Sequence, residues 1–373
     1  MIQGRSGVLV PIAAVLIAAC SGGGGAASQS AAASGGAAPT LPIPSVVAAK
    51  DCKVGVSWNN YNEERWGKWD EPAIKATLAA AGAQYISNDA KSSAETQKSN
   101  VTNLISQGVK VLIILAQDGT AIKTSVAEAS QAGIPVIAYD RLIEDPAVFY
   151  LTFDNKGVGK LMAQEILKVV PKGNYAIIKG NKADANADFL RAGMVEAGIP
   201  DVGQSTADIK IVGETYTDNW LPNNAKTNME QILTQNQNKV DAVISENDGM
   251  ATGVVAALQG QGLAGKVPVT GQDGDKAALN RVALGTQVVS VWKDSRQLGI
   301  AAGVAAAQLC NGTKVDAISG ASKFTTPGKN DVSAIQLPPD PITKNNLNDV
   351  LVAGWITKAD LCLNVPAGSV GGC

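Results

Sequence analysis

From Lys53 onward the chain alternates short β-branched runs with Ala-rich stretches, and this alternation limits the available folds more than any other feature of its 373 residues. Ten runs read as strands, at 54–58, 84–88, 109–116, 135–140, 150–154, 175–179, 209–216, 242–246, 267–271 and 288–293. Helices are expected between most of them, at 71–81, 94–106, 121–132, 156–169, 223–234, 251–259 and 296–309. Strands that are apolar along their whole length and separated by helices belong to parallel sheets covered on both faces. Ten such strands exceed one small sheet, so the expected class is α/β, with two doubly wound parallel-sheet lobes.

Open α/β sheets bind ligands beyond the carboxyl ends of their strands. Polar and aromatic residues gather at those ends here. Arg65 and Trp66 follow the first run, Asp140 and Arg141 the fourth, and Asn186 to Arg191 the sixth. Trp220 follows the seventh, Asn247 and Asp248 the eighth, Gln272 and Asp273 the ninth, and Lys293 ends the tenth. Two facing lobes carrying these residues would enclose one polar cleft containing an indole or two.

That residue set suits a sugar ring. Adjacent hydroxyls donate and accept in pairs, which matches the planar groups of Asp, Asn and Arg, and an indole matches the apolar C–H face. Catalytic signatures are missing. The chain has no histidine, which removes imidazole proton shuttles, His-dependent triads and His-ligated zinc. It has neither a Gly-x-Ser-x-Gly elbow nor a Walker motif. Asp140 and Asp273 could supply a glycosidase pair, but nearby cations favour their charged forms. With 31 basic against 33 acidic residues there is no general basic field for nucleic acid. No cofactor or metal is implied.

Three motif matches fail on context. Gly260-x-Gly262-x-x-Gly265 follows a helix and precedes a strand, the reverse of a dinucleotide fingerprint. Asp184-x-Asn186-x-Asp188 starts like a calcium loop, but Phe189 and Val195 stand where the turn glycine and the bidentate Glu belong. Asn100 and Asn311 open sequons that matter only in a glycosylating compartment.

Residues 1–20 read as an export leader, with Arg5 and then an apolar run of twelve residues from Val8 to Ala19, too short to span a bilayer. Ile17-Ala18-Ala19-Cys20 resembles the lipobox of bacterial lipoproteins, in which the cysteine is acylated and tethers the body to a membrane. The Gly/Ala/Ser-rich stretch 21–50 reads mainly as a flexible tether. Four cysteines remain, Cys52, Cys310, Cys362 and Cys373, an even number that suggests disulfides in an oxidising compartment. Of the three pairings, Cys52–Cys310 with Cys362–Cys373 is preferred, the second closing a short C-terminal loop; free thiols are the alternative.

Seven segments occur in a characteristic order: Glu64-Arg65-Trp66, Ile137 to Ile143, Phe153-Asp154-Asn155, Phe189 to Gly193, Trp220-Leu221-Pro222, Asn247-Asp248 and Gly271-Gln272-Asp273. Together they resemble the D-xylose-binding proteins of bacterial ABC importers, members of the type I periplasmic-binding-protein family, from about Lys53 to about Thr357. The resemblance implies two lobes joined by three crossovers that close over a monosaccharide and then dock on a membrane permease. It implies a ligand set of Arg65, Trp66, Asp140, Arg141, Asn186, Arg191, Trp220, Asn247, Asp273 and Lys293, with Trp66 and Trp220 stacking on the ring. The corresponding lobes are 51–152 with 294–328 and 153–293 with 329–360, leaving 361–373 as a tail.

Asn59-Asn60 stand where that family often has acidic residues, and Ala185 where it often has Asn. Residues Val291 to Arg296 look closer to relatives accepting several aldoses. The expected function is therefore extracytoplasmic capture of a monosaccharide, most specifically D-xylose, by a lipid-anchored monomer serving an ABC permease. A binder of several aldoses, a sensing module for a chemoreceptor or sensor kinase, and an extracellular carbohydrate-active enzyme are the alternatives.

Overall fold

The computed structural model describes residues 41–201 and 203–373; the leader, Cys20 and the tether to residue 40 lie outside the described residues. The chain first lays down β1 (Lys53–Trp58), α1 (Glu71–Ala80), β2 (Gln84–Asp89), α2 (Ala94–Ser106), β3 (Val111–Ile114), α3 (Lys123–Gln131), β4 (Val136–Tyr139) and β5 (Val148–Phe153). It then crosses into α4 (Asn155–Val169), β6 (Gly173–Lys179), α5 (Ala185–Glu196), β7 (Ile209–Tyr216), α6 (Pro222–Gln235), β8 (Ala242–Ser245), α7 (Asp248–Gly260), β9 (Thr270–Gln272), α8 (Lys276–Leu284) and β10 (Val289–Trp292). A return adds α9 (Ser295–Cys310), β11 (Ser322–Thr325) and β12 (Asp331–Leu337), and a last crossing leads to β13 (Asp340–Ile342), α10 (Asn348–Val352) and α11 (Lys358–Leu361).

The first lobe is one sheet in the order β11-β12-β5-β4-β3-β1-β2, parallel except for β11. In the second, β7-β6-β8 meets β9-β10-β13 at the parallel bridge Val243–Val269. The first five strands of each lobe therefore follow the same order, 2-1-3-4-5, whose ligand crevice opens where the order reverses. These points lie between β1 and β3 in one lobe and between β6 and β8 in the other.

Burial explains the parallel sheets. β3, β4 and β5 are buried at every position, and alternate residues of β3 serve different cores, Val111 and Ile113 on one face and Leu112 and Ile114 on the other. In the second lobe α4 and α5 cross closely. A Cβ at Gly159 would lie 1.9 Å from the Leu190 carbonyl oxygen, and one at Gly193 would lie 2.0 Å from that of Lys156. Only glycine admits that approach.

The third crossing differs from the expected boundary at 328–329. β12 pairs in parallel with β5 from Ser333–Phe149 to Leu337–Phe153, so the first lobe continues through Leu337. Antiparallel β13 then joins β10 in the second lobe. β11, the edge strand, buries no residue, and β12 beside it buries only Val332 and Ala334, a weaker signal than a continuous apolar run. The segment after Asp360 also packs, with both Leu361 and Leu363 carbonyls accepting from Asn280 at 2.9 Å. Cys52 is bonded to Cys310, joining the start of β1 to the end of α9, and Cys362 is bonded to Cys373. Among the described residues no helix is long and apolar enough to cross a membrane.

Candidate functional site

A cavity lies where the two sets of strand ends face each other, lined by Glu63, Arg65, Trp66, Asp140, Arg141, Asp184, Asn186, Trp220, Asn247, Gln272, Asp273 and Lys293. Every lining residue except Glu63 is buried.

Three of these residues sit in left-handed backbone: Asp140 (φ 60°), Trp220 (φ 58°, after Asn219 at 55°) and Asp273 (φ 97°). Such conformations are uncommon outside glycine and persist where their surroundings over-determine them. For Asp140 the restraints are visible. Its N–H donates to the Leu151 carbonyl at 2.7 Å, and its own carbonyl accepts from Thr152 Oγ1 at 2.7 Å and Asn186 Nδ2 at 3.2 Å. Helix caps bring in two more lining residues, since Asp184 accepts from the Asn186 N–H to start α5 and Asn247 accepts from the Met250 N–H to start α7.

Ion pairs run across the cleft. Arg65 holds Asp70 with two nitrogens at 2.8 and 3.1 Å, and its Nη1 lies 3.0 Å from Asp140 Oδ2 and 3.6 Å from Asp273 Oδ1. Lys293 Nζ lies 3.2 Å from that same Asp273 oxygen. Arg141 joins Asp184 at 3.0 Å and Glu63 at 3.3 Å. Burial raises the carboxyls of Glu63 and Asp184, with Arg141 opposing it in both. Burial also acts on Asp140, but Arg65, Lys293 and Arg141 outweigh it and hold that carboxyl below its ordinary range. With its charges paired internally, the cavity offers directed donors and acceptors to a neutral ligand rich in hydroxyls.

Both indoles have their N–H groups engaged, Trp66 with Glu63 Oε2 at 2.6 Å and Trp220 with Asp184 Oδ2 at 3.2 Å. What they add to the lining is ring carbon. The Arg65 guanidinium lies 4.3 Å from the Trp66 ring centroid, a cation–π contact. A Cβ at Gly180 would come within 2.0 Å of the Trp220 ring, so glycine there lets the indole seat against the backbone.

Nine of the ten sugar-contact residues expected from sequence line the cavity: Arg65, Trp66, Asp140, Arg141, Asn186, Trp220, Asn247, Asp273 and Lys293. Arg191 is the correction. Its guanidinium binds Glu214 Oε2 at 3.0 Å and the Pro200 carbonyl, away from the cavity. Five residues beyond Asn186 on the same helix is about 140° of rotation and ~7.5 Å of rise, which turns Arg191 from the cleft. Glu63, Asp184 and Gln272 also line it. Their signals were present in the sequence: Glu63 one turn before Trp66, Asp184 between a strand end and a helix, and Gln272 beside Asp273. Among the described residues no group of three or more Cys, Asp or Glu is placed to hold a metal ion.

Against known proteins, a model of the periplasmic binding protein domain matches residues 54–314. The chain is 39% identical over 311 residues to the D-xylose-binding periplasmic protein of Escherichia coli (strain K12), covering 83% of this chain and 92% of that protein. It is 36% identical over 315 residues to the D-xylose-binding periplasmic protein of Haemophilus influenzae, covering 84% and 93%. Among solved structures, a carbohydrate transporter solute binding protein from Chloroflexus aurantiacus, in complex with D-glucose, matches with a TM-score of 0.75 at 30% identity, over 85% of this chain and all of that one. The matched relatives are binding and transport proteins, not enzymes.

Proposed function

The chain belongs to the periplasmic binding protein family, and from that premise we propose that it captures a monosaccharide, D-xylose first among them, for an ABC importer. The observation that carries this reading is the cavity's lining: between two doubly wound lobes it presents paired charges and two indoles whose N–H groups are engaged. Similarity to two D-xylose-binding proteins supports the choice of sugar. The D-glucose held by the Chloroflexus aurantiacus structure is the specific reason to test hexoses beside pentoses.

A ligand walled in by buried residues enters only when the lobes part, so binding selects the shut state from an open–closed equilibrium. The leader and the lipobox-like Ile17-Ala18-Ala19-Cys20 support a lipid anchor, the tether giving the body reach on the outer side of the membrane. The body acts as a monomer that presents its closed form to the permease.

Native mass spectrometry of the purified body with a panel of pentoses and hexoses tests the reading. The expected result is a mass gain of one intact monosaccharide, largest for D-xylose, with the sugar recovered unchanged. A panel in which nothing binds would overturn it.

A further inference from the structure

Asp273 reaches the cavity from the short turn that joins β9 to α8, and both Asp273 (φ 97°) and Gly274 (φ 79°) have left-handed backbone. An aspartate in that region must be held there by its surroundings. Directly behind the turn lies Asp248, the first residue of α7, fully buried and outside the cavity lining. Its Oδ2 accepts the backbone N–H groups of Gly274 and Asp275, each at 3.0 Å, and the Ser290 hydroxyl at 2.5 Å. Its Oδ1 accepts from Gln287 Nε2 at 2.8 Å.

Four donors converging on one buried carboxylate are a built arrangement, because burying a charge is unfavourable unless hydrogen bonds and partners compensate it. The backbone has been cleared for it too. A Cβ at Gly271 would lie 2.1 Å from Asp248 Oδ1. From the other side, Trp355 Nε1 donates to the Gly274 carbonyl at 2.6 Å. The turn is therefore gripped by both its N–H groups and its carbonyl.

We propose that Asp248 is a positioning residue for the sugar, fixing the turn so that the Asp273 carboxylate stays against Lys293 and Arg65 at the cavity wall. This rests on the sugar-capture reading of the site. Asp248 acts through Asp273 and does not touch the ligand. Its removal therefore has a signature that a general loss of stability lacks: the effect on affinity disappears once Asp273 has been changed.

The experiment is calorimetric titration, with the sugar that binds best, of wild type, Asp248→Asn, Asp273→Asn, the double variant, and the swap Asp248→Asn with Gln287→Glu. In Asp248→Asn the new amide meets the Gln287 amide donor to donor, and affinity should fall about tenfold. Asp273→Asn should weaken binding by a similar factor, and the double variant should be no weaker than Asp273→Asn alone. The swap keeps an acceptor toward the turn and supplies one toward the new amide, while giving up the Gln287 Nε2 bond to the Val289 carbonyl, so it should regain most of the affinity lost in Asp248→Asn. Asp248→Asn binding as wild type, or losses that multiply in the double variant, overturns the proposal. Should Asp248→Asn not fold, the swap is read against Gln287→Glu alone, which shares the lost Val289 contact: a swap that binds at least as tightly supports the assignment, and a folded swap that binds about tenfold more weakly overturns it. A wild-type chain that binds no sugar removes the reading of the site itself, and this inference with it.

Discussion

Arg65 shows how a single side chain organises this site. It is 2% exposed, takes a bidentate grip on Asp70, and lies within 3.0–3.6 Å of one carboxylate from each lobe. Guanidinium geometry permits this; an ammonium has no rigid fork to divide among three partners. Arg141 and Arg191 form the instructive contrast, since both are buried and paired but only Arg141 lines the cavity. Arg141→Ala should abolish measurable sugar binding. Arg191→Ala should leave affinity within about twofold while lowering the thermal midpoint, because it strips the partner from the half-buried Glu214; parallel titration and melting curves check both. The cavity residues were legible because the strand-end rule depends only on where apolar runs stop. Arg191 was misplaced because a helix's rotation about its axis is set by tertiary packing, here the Gly159–Gly193 crossing, which its own sequence does not display. Asp184, whose place between a strand end and a helix was visible in the sequence, serves as helix cap and cavity wall together.

At the scale of elements, all ten strands read from the sequence are present, their ends shifted by up to three residues. Continuous burial produces continuous apolar runs, and these are unambiguous. The strands that went unread are β11 and β13, which are short and edge-placed, and β12, whose buried residues are interrupted by polar ones. Their omission misplaced the third crossing. The Cys52–Cys310 bond spans 258 residues and fastens α9, the element that returns to the first lobe, to the start of β1. Cross-linking a loop of that size restricts the unfolded chain strongly, so Cys52→Ser with Cys310→Ser should lower stability by about 2–5 kcal/mol. Replacing Cys362 and Cys373, which close a loop with a separation of 11, should have a smaller effect. Denaturant midpoints of the two paired variants give the comparison.

At the scale of the molecule, two sheets with the same strand order present their switch points to each other, and the site lies between them. The lobes touch directly. Gln117 Nε2 donates to Asn219 Oδ1 at 2.7 Å, the Gly119 N–H donates to the Ala183 carbonyl at 3.3 Å, and Trp69 stacks on Trp355 with ring centroids 4.6 Å apart. With the ion pairs of Arg65 and Arg141, these contacts describe a shut cleft. A polar cavity so enclosed fits capture by closure, in which ligand and lobe-to-lobe contacts favour the same state. Small-angle scattering of the isolated body, recorded without sugar and then with saturating D-xylose, measures that step most directly. The account predicts a radius of gyration that falls on adding the sugar, to the value calculated for the shut structure. Identical scattering curves from a sample shown to have bound the sugar would contradict it.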